Sequence, residues 1–360
     1  MTEPFRKTQR LEGFEPYRPR HSTAPITHKV DANEASADPA GLQRYAEGLN
    51  PEVLNRYTRP HALEADLAAR FGVESNRVVV TAGADDGLMR LCLLTLEPGR
   101  RALMTQPTFE MIPRYATLAG GAIDAIDWLE GPVPTDALVE AVTPQTSVVF
   151  VVTPSSPAAE VADAAAVTRL SHACAEVGAL LVVDQAYVEF AEPDADLTER
   201  ALSLPNTLVA RTLSKAWGLA GLRIGYFIGH PTVVDWMKTV GQPYAVATPS
   251  VAMAQAALAR GESTMQARVK RVREERAQLT AALTAAGWAP VPSHGNSVLV
   301  RFGAQGSVVA DAMAARGIAV RLFQRPEALA GAIRITCPGV PATFSALLKA
   351  FDEVLREVRP

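Results

Sequence analysis

Short apolar segments alternate with segments of helical spacing along most of the chain. Residues 147–152 and 179–183 are almost continuously apolar, as expected for strands that are buried on both faces. Between such segments the apolar residues recur every three to four positions, which indicates helices. This order predicts a three-layer α/β fold in which a mostly parallel sheet lies between helices. The strand-like segments are residues 77–81, 101–105, 147–152, 179–183, 207–210 and 224–228.

The chain has 360 residues, more than a single hydrophobic core usually supports, so we expect two domains. The polar, proline-rich residues 1–40 predict an N-terminal arm that packs on the small domain or on a partner subunit. We predict a large cofactor-binding domain over residues 41–245, an interdomain helix over 246–286 and a small α+β domain over 287–360.

Composition and charge exclude several classes of protein. A formal net charge of −3 argues against nucleic acid or an anionic membrane as the main partner. No apolar run approaches the ~18 residues of a membrane span, and the first residues lack the apolar stretch of a secretory signal. The three cysteines are widely spaced and the six histidines lack metal-binding spacing, so we expect a cytoplasmic protein without a metal site.

The residues that follow the predicted strands are the candidates for a ligand site, because ligands of such sheets bind at the carboxyl ends of the strands. One of these residues, Lys215, stands among small and apolar neighbours, which would lower the pKa of its amine and make it a nucleophile. Hydroxyl groups at Thr212 and Ser214 and the cation of Arg223 suggest a phosphate nearby. This combination suits an enzyme of pyridoxal phosphate (PLP), but a surface lysine at the start of an amphipathic helix fits this segment equally well.

Asp184 ends a buried strand, where a carboxylate is costly unless it is paired or hydrogen-bonded. In a PLP enzyme its partner would be the protonated pyridine nitrogen; the alternative is a helix N-cap. Tyr187 could donate to the phenolate oxygen of the cofactor or be an ordinary core aromatic residue. Phe109 could stack on a planar ring or simply pack. Arg334 could bind a substrate carboxylate or lie solvated on the polar face of a strand.

The turn Gly83-Ala84-Asp85 lies at a predicted strand-to-helix junction, where free backbone N–H groups and the helix dipole favour a phosphate. Neither a nucleophile elbow, a dinucleotide-binding glycine pattern nor a P-loop is present in the sequence. The absence of these three motifs from the sequence argues against the usual hydrolase and nucleotide-binding classes.

Taken together, these residues resemble the fold-type I PLP-dependent aminotransferases of class I/II, and within them the histidinol-phosphate aminotransferase-like branch. The resemblance covers nearly the whole chain. It is carried by Glu15-Pro-Tyr17, Asp31-Ala-Asn-Glu34, Arg56-Tyr57, Gly83-Ala-Asp-Asp-Gly87, Pro107-Thr-Phe109, Val182-Val-Asp-Gln-Ala-Tyr187, Arg211-Thr-Leu-Ser-Lys215, Gly221-Leu-Arg223, Gly317-Ile-Ala-Val-Arg321 and Arg334-Ile-Thr336.

The resemblance implies a role for each of these positions. Lys215 would form the Schiff base with PLP and carry the proton between Cα and C4′. Asp184 would pair with the pyridine nitrogen, Tyr187 would reach O3′ and Phe109 would stack on the ring. The residues implied to hold the phosphate are Ala84, Asp85, Thr212, Ser214 and Arg223.

The resemblance also implies a homodimer with shared active sites, because Tyr57 would reach the phosphate of the neighbouring subunit. Arg334 would bind the carboxylate of the amino acid. Asn33 and Tyr17 are the other expected substrate-binding residues.

Two positions depart from the family pattern. Ser156 stands where the family usually has the asparagine that donates to O3′, and the shorter side chain would reach the cofactor only if the loop moved inward. The second arginine of histidinol-phosphate enzymes is missing near Ser345, which argues against histidinol phosphate as the substrate. Arg321 or Arg325 could replace that arginine.

The leading hypothesis is a ping-pong aminotransferase that moves an amino group between an amino acid, or a related amine, and a 2-oxo acid. A PLP-dependent decarboxylase or oxidase on the same scaffold is the alternative, because the altered Ser156 loop could change which bond is broken. A PLP-binding sensor without turnover is a remote third hypothesis; the presence of Lys215 argues against it.

Overall fold

The structure is a computed structural model that describes residues 8–17, 24–36, 38–47, 49–57 and 59–358. Its strands are β1 (His28–Lys29), β2 (Val78–Ala82), β3 (Arg101–Gln106), β4 (Ala122–Asp127), β5 (Thr146–Val152), β6 (Leu180–Asp184), β7 (Thr207–Thr212), β8 (Ile224–Ile228), β9 (Pro290–Val291), β10 (Ser297–Arg301), β11 (Ile318–Ala319), β12 (Arg321–Leu322) and β13 (Ala332–Thr336). Its α-helices are α1 (Pro39–Ala46), α2 (His61–Arg70), α3 (Ala84–Thr95), α4 (Met111–Ala119), α5 (Thr135–Glu140), α6 (Ala164–Val177), α7 (Thr198–Leu202), α8 (Pro231–Val240), α9 (Thr248–Arg260), α10 (Glu262–Ala285), α11 (Gly306–Ala315) and α12 (Pro341–Glu357).

Seven strands form one large sheet in the order β2-β8-β7-β6-β5-β3-β4. All neighbouring pairs are parallel except those of β8, which runs antiparallel to both β2 and β7. The sequence-based prediction of a mostly parallel sheet is therefore confirmed.

Helices cover both faces of this sheet. Every residue of β5 is buried, and its alternate side chains enter two different apolar clusters. Phe150 packs with Leu88 and Ile112 on one face, whereas Val149 packs with Leu138 and Leu170 on the other. Because successive side chains of a strand point to opposite faces, the two clusters are the two helix–sheet layers.

The edge strand β4 was not predicted from the sequence. Its residues Ala122–Asp127 are half-buried or exposed, and two of them are aspartates. An edge strand on β3 needs no continuous apolar run, so the signal that identified β5 and β6 is absent there.

The residues after 286 form a second sheet in the order β12-β13-β10-β9, in which all pairs are antiparallel. Part of the predicted N-terminal arm contacts this region. The strand β1 pairs in parallel with β11, with His28 opposite Ile318, and the backbone N–H of Thr336 donates to the carbonyl oxygen of Val30. The remaining residues of the arm, 1–7, 18–23 and 37, lie outside the described ranges.

The helix expected over residues 246–286 is two helices, so the prediction of one continuous helix was wrong. α9 ends at Arg260 and α10 begins at Glu262, with Gly261 between them. A Cβ at Gly261 would lie 2.5 Å from the Tyr45 hydroxyl oxygen, so the close packing of α1 requires glycine there. Glycine costs about 1 kcal/mol relative to alanine inside a helix, which makes it a natural break point. None of the helices in the described ranges is long and apolar enough to cross a membrane.

Candidate active site

A cavity of about 1110 Å³ opens at the carboxyl end of the large sheet and is closed on its other side by the small sheet. Its walls include Phe109 after β3, Ser156 after β5, Tyr187 after β6 and Lys215 after β7. The opposite wall includes Arg334 of β13. The folded chain thus brings together side chains that are far apart in the sequence, at the edge where ligands of such sheets bind.

Lys215 lies in the bend that follows β7 and does not begin a helix. Its Nζ donates to the carbonyl oxygen of Asn33 at 3.2 Å and lies 3.5 Å from that of Ala32. It also lies 5.4 Å from the centroid of the Tyr187 ring. The amine is therefore directed into the cavity by backbone carbonyl groups and is not placed on a solvated helix face.

Asp184 is buried at the end of β6, and its Oδ1 accepts a hydrogen bond from the backbone N–H of Ala186 at 3.0 Å. Burial raises the pKa of this carboxyl group to about 6, and the neighbouring Asp85 adds to the rise. A cation placed against Asp184 would remove that penalty and stabilise the ionised carboxylate. The site therefore suits a protonated ring nitrogen.

Tyr187 and Asn33 form one hydrogen-bonded unit beside Lys215. The Nδ2 of Asn33 donates to the Tyr187 hydroxyl oxygen at 3.2 Å. Burial raises the pKa of Tyr187, but the charges of Lys215 and Arg334 and the hydrogen bond from Asn33 outweigh it, so the pKa lies below its usual value. Asn33 has a positive φ of 53°, and two hydrogen bonds with the Thr336 hydroxyl hold it in this left-handed conformation.

The predicted phosphate-binding residues meet at the N-terminus of α3. Gly83 occupies the N-cap of this helix with a φ of 82°. A Cβ on Gly83 would collide with the guanidinium group of Arg223, which donates to Asp85 Oδ2 at 3.2 Å. The positive φ favours glycine at this position, and the missing side chain leaves room for the Arg223 guanidinium group. The first-turn N–H groups of a helix have no partner within it, and together with Arg223 they suit an anion.

Two hydroxyl groups complete this end of the site. The Thr212 Oγ1 donates towards Ser214 Oγ at 2.9 Å and accepts from the Ser214 backbone N–H at 3.0 Å. Gly225 of β8 pairs opposite Thr212, and a Cβ there would collide with the backbone of Ala84. The strand carrying Thr212 and the turn containing Ala84 therefore pack so closely that one small ligand group could contact both.

Arg334 lines the cavity and is not a solvated strand residue. One terminal nitrogen donates to the carbonyl oxygen of Asp31 at 3.0 Å. Its Nε is buried and has no hydrogen-bond partner among the described residues. A buried N–H without a partner is costly, and a substrate carboxylate would supply one. Burial also lowers the pKa of the guanidinium group, which a bound anion would reverse.

The two departures from the family pattern lie in different surroundings. Ser156 is buried and lines the cavity. Ser345 is exposed on α12 and is not among the lining residues, whereas Arg321 and Arg325 both are. An arginine at position 345 would therefore not face this cavity as it is formed here.

Tyr17 lines the cavity but Tyr57 does not. The side chain of Tyr57 is 83% exposed and stacks on Tyr244, with ring centroids 4.7 Å apart. Two further lining residues, Glu110 and Phe323, were not singled out from the sequence. Glu110 directly follows Phe109, which offered a signal, but Phe323 is placed there only by the fold. Across the described ranges, no group of three His, Cys, Asp or Glu side chains could hold a metal ion.

Comparison with known proteins agrees with this arrangement. Residues 29–350 match the family model described as aminotransferase class I and II. The chain is 36% identical over 322 residues to an aromatic amino acid aminotransferase of Thermobifida fusca, covering 87% of this chain and 89% of the relative. It is 32% identical to a histidinol-phosphate aminotransferase of Jannaschia sp., covering 92% and 91% of the two chains.

A solved structure supports the same assignment. The histidinol-phosphate aminotransferase of Sinorhizobium meliloti, solved in complex with pyridoxal-5′-phosphate, superimposes with a TM-score of 0.83 at 27% identity, covering 92% of each chain. The family match spans most of the sequence and the fold match spans most of the structure. The chain therefore belongs to the class I and II aminotransferases.

Proposed function

We propose that Lys215 is the residue that binds the cofactor and transfers the proton in this aminotransferase. The protein exchanges an amino group between an amino acid and a 2-oxo acid, and its cofactor is pyridoxal 5′-phosphate. When bound, this cofactor supplies an electron-withdrawing ring that accepts the electron pair of the broken Cα–H bond. The observation that carries the assignment is the convergence of the Lys215 amine, the Tyr187 ring and the Arg334 guanidinium group around one cavity, with the buried Asp184 at the end of the strand that leads to Tyr187.

Each residue around Lys215 would have a separate role that depends on its position. The Asn33 carbonyl oxygen orients the Lys215 amine, which would hold the cofactor through its aldehyde carbon and, once the substrate amine has replaced it there, would move the proton at Cα. The Asp184 carboxylate would hold a proton on the ring nitrogen, and the Tyr187 hydroxyl would donate to O3′ of the ring. Phe109 would stack on the ring, and Ser156 would lie near the same oxygen as Tyr187.

The two ends of the site would bind the two anionic groups. We assign the cofactor phosphate to the α3 N-terminus and Arg223, and the substrate carboxylate to Arg334 with Asn33 and Tyr17 nearby. Binding the carboxylate fixes the Cα–H bond relative to Lys215, so that the proton is held within reach of the amine. The remaining phosphate ligands would be Ala84, Asp85, Thr212 and Ser214.

Transamination is favoured over decarboxylation, oxidation and a sensor without turnover. The relatives described above are named as aminotransferases, and every implied catalytic residue except the asparagine replaced by Ser156 is present. We further propose a cytoplasmic location, which the three buried, unpaired cysteines support. The division into an arm, a large domain, an interdomain segment and a small domain remains a prediction.

The test is a spectral and product assay on the holoenzyme. Candidate amino acids are added singly with 2-oxoglutarate, while the visible absorbance of the cofactor and the 2-oxo acid product are recorded. We expect a reversible loss of the visible band and one 2-oxo acid formed per amino group transferred. Carbon dioxide without a 2-oxo acid product would instead identify a decarboxylase, and a spectrum unchanged by any amine would identify a binding protein.

The affinity for pyridoxal 5′-phosphate is expected to fall as the pH drops below about 6. Burial raises the pKa of Asp184 to about 6, and a facing ring cation would lower it again. Binding would then release a proton, so the contribution of Asp184 is complete above pH 6 and falls about tenfold per pH unit below it. Dissociation constants of the wild type and Asp184→Asn are compared across this range. Equal pH dependence in both proteins would contradict the role, because the variant lacks the carboxyl group to which the dependence is assigned.

Tyr57 supports the proposal of a homodimer with shared sites. Its hydroxyl lies on an exposed aromatic pair with Tyr244, outside the cavity of its own chain. If it donates to the phosphate of the cofactor bound by the partner, Tyr57→Phe is expected to weaken cofactor binding about ten- to hundredfold, since a hydrogen bond to a charged group contributes ~1.5–3 kcal/mol. Titration of the apoprotein with the cofactor measures the affinity, and light scattering measures the molecular mass. Tyr244→Phe is the matched control. If the protein is a monomer and Tyr57→Phe binds the cofactor as tightly as the wild type, both the homodimer and the role of Tyr57 are contradicted.

A further inference from the structure

We propose that Glu110 determines substrate specificity by neutralising Arg321, so that the cavity accepts amino acids with uncharged, aromatic side chains in preference to anionic ones. The inference rests on the proposed function, because it takes Arg334 as the site of the α-carboxylate. It concerns the opposite part of the substrate, its side chain.

Two arginines stand next to each other on one wall of the cavity. Arg321 of β12 and Arg334 of β13 are direct cross-strand partners in an antiparallel pair. Their guanidinium carbons lie 5.6 and 5.8 Å from the centroid of the same ring, that of Phe323. Such a pair of cations would suit a substrate with two anionic groups if both charges were available.

The two charges are not equally available. An Oε1 of Glu110 accepts from the Arg321 guanidinium at 3.0 Å, whereas Arg334 donates to a backbone carbonyl oxygen, that of Asp31. Glu110 occupies the N-cap position of α4 yet its carboxylate caps no backbone N–H. The carboxylate is instead turned across the cavity towards the small sheet, where it meets Arg321.

Tyr17 lines the cavity together with Glu110. Partial burial and the Glu110 carboxylate raise the pKa of the Tyr17 phenol. Tyr17, Phe109 and Phe323 therefore present aromatic surface around a neutral ion pair. An uncharged ring would pack there without disturbing the pair.

An anionic side chain of the substrate would be repelled by the Glu110 carboxylate. To reach Arg321, a second carboxylate or a phosphate must displace Glu110 and lie close to its charge. Like charges brought together in a binding site disfavour the complex and act as a filter against the wrong ligand. The ion pair between Glu110 and Arg321 thus disfavours anionic side chains but still admits large uncharged ones.

The experiment compares Glu110→Gln with the wild type as holoenzymes. Values of kcat/KM are measured for phenylalanine and glutamate with one common acceptor. The ratio of glutamate to phenylalanine is expected to rise about tenfold in Glu110→Gln, since Arg321 is then free to bind the second carboxylate. Glu130→Gln is the matched control, because Glu130 is 52% exposed against 51% for Glu110 and pairs with Arg301 at 3.3 Å outside the cavity.

A binding measurement separates specificity from turnover. Dissociation constants of maleate and 3-phenylpropionate, which lack an amino group, are measured by calorimetry on the same holoenzymes. Glu110→Gln should strengthen maleate binding relative to 3-phenylpropionate, and adding Arg321→Gln should abolish the gain. Ratios within twofold of the wild type in both assays would overturn the inference. If the wild type transaminates no donor, the proposed function fails, while the calorimetric comparison still decides the role of Glu110.

Discussion

Replacing Lys215 by alanine is expected to lower kcat by at least about 10²–10⁴-fold and to convert a firmly held cofactor into one that dialysis removes. The first effect follows because Lys215 is the cavity-lining amine that the backbone carbonyls of Ala32 and Asn33 orient. Loss of a positioned general acid–base alone costs a factor of this size. The second follows because a covalent attachment to the amine would be lost while the phosphate contacts remain.

The measurement combines kinetics with peptide mapping. Reduction of the holoenzyme with borohydride should attach the cofactor to the peptide that contains Lys215, and no labelled peptide should appear in Lys215→Ala. Lys270→Ala, an exposed lysine on α10, is the control for removing an amine. A variant that keeps both the visible spectrum and the turnover of the wild type would show that the assignment of Lys215 is wrong.

Arg211→Met is expected to lower the free energy of unfolding by about 3–5 kcal/mol, the range seen when one partner of a buried ion pair is removed. Arg211 is buried at the end of β7 and pairs with Glu189 at 3.0 Å. It also donates to the Thr198 hydroxyl at 2.9 Å. Without the guanidinium group, the partly buried Glu189 carboxylate would lose its ion-pair partner.

The same network connects β7 with the end of β6. The Thr198 hydroxyl donates to Gln185 at 2.9 Å, and Gln185 directly follows Asp184. Arg211 itself precedes Thr212 on the strand that leads to Lys215. We therefore expect Arg211→Met to weaken cofactor binding as well as stability, because it loosens the ends of β6 and β7 relative to each other.

Denaturant unfolding of the holoenzyme and the apoprotein separates these effects. Arg200→Met is the matched control, since Arg200 is exposed and its substitution should change stability by no more than about 0.5 kcal/mol. Adding Glu189→Met to Arg211→Met should recover part of the loss, as the unpaired carboxylate is removed. A loss below about 1 kcal/mol for Arg211→Met would contradict the importance of the pair.

The sequence predicted the strands that are buried on both faces and missed the elements that are not. Residues 148–152 are continuously apolar, and helices cover both sides of β5. β4 lies at the sheet edge and carries aspartates, and α8 follows the last strand of the large sheet without a pattern that we recognised. A single glycine within a helical pattern does not by itself mark a break, and the contact of Gly261 with Tyr45, which is distant in the sequence, is set by the fold.

For the site, the local sequence identified residues whose chemistry depends on a nearby turn or strand end. Lys215, Asp184 and the turn at Gly83 follow strands of one sheet, so the rule for the carboxyl ends of strands was enough to group them. The same rule says nothing about Arg334, whose position depends on how the small sheet closes the cavity. Residue types without such context, among them Glu110 and Phe323, were overlooked.

The sequence by itself determined the alternation of helices and strands, the class of cofactor and the family, because each depends on local spacing and on residues in short segments. Only the tertiary structure decided which charges face each other. Arg321 and Arg334 become neighbours through the pairing of β12 with β13, and Glu110 reaches Arg321 from the N-terminus of α4 across the cavity. Electrostatic interactions depend on distance and burial in three dimensions, so substrate selection was not readable from the order of residues.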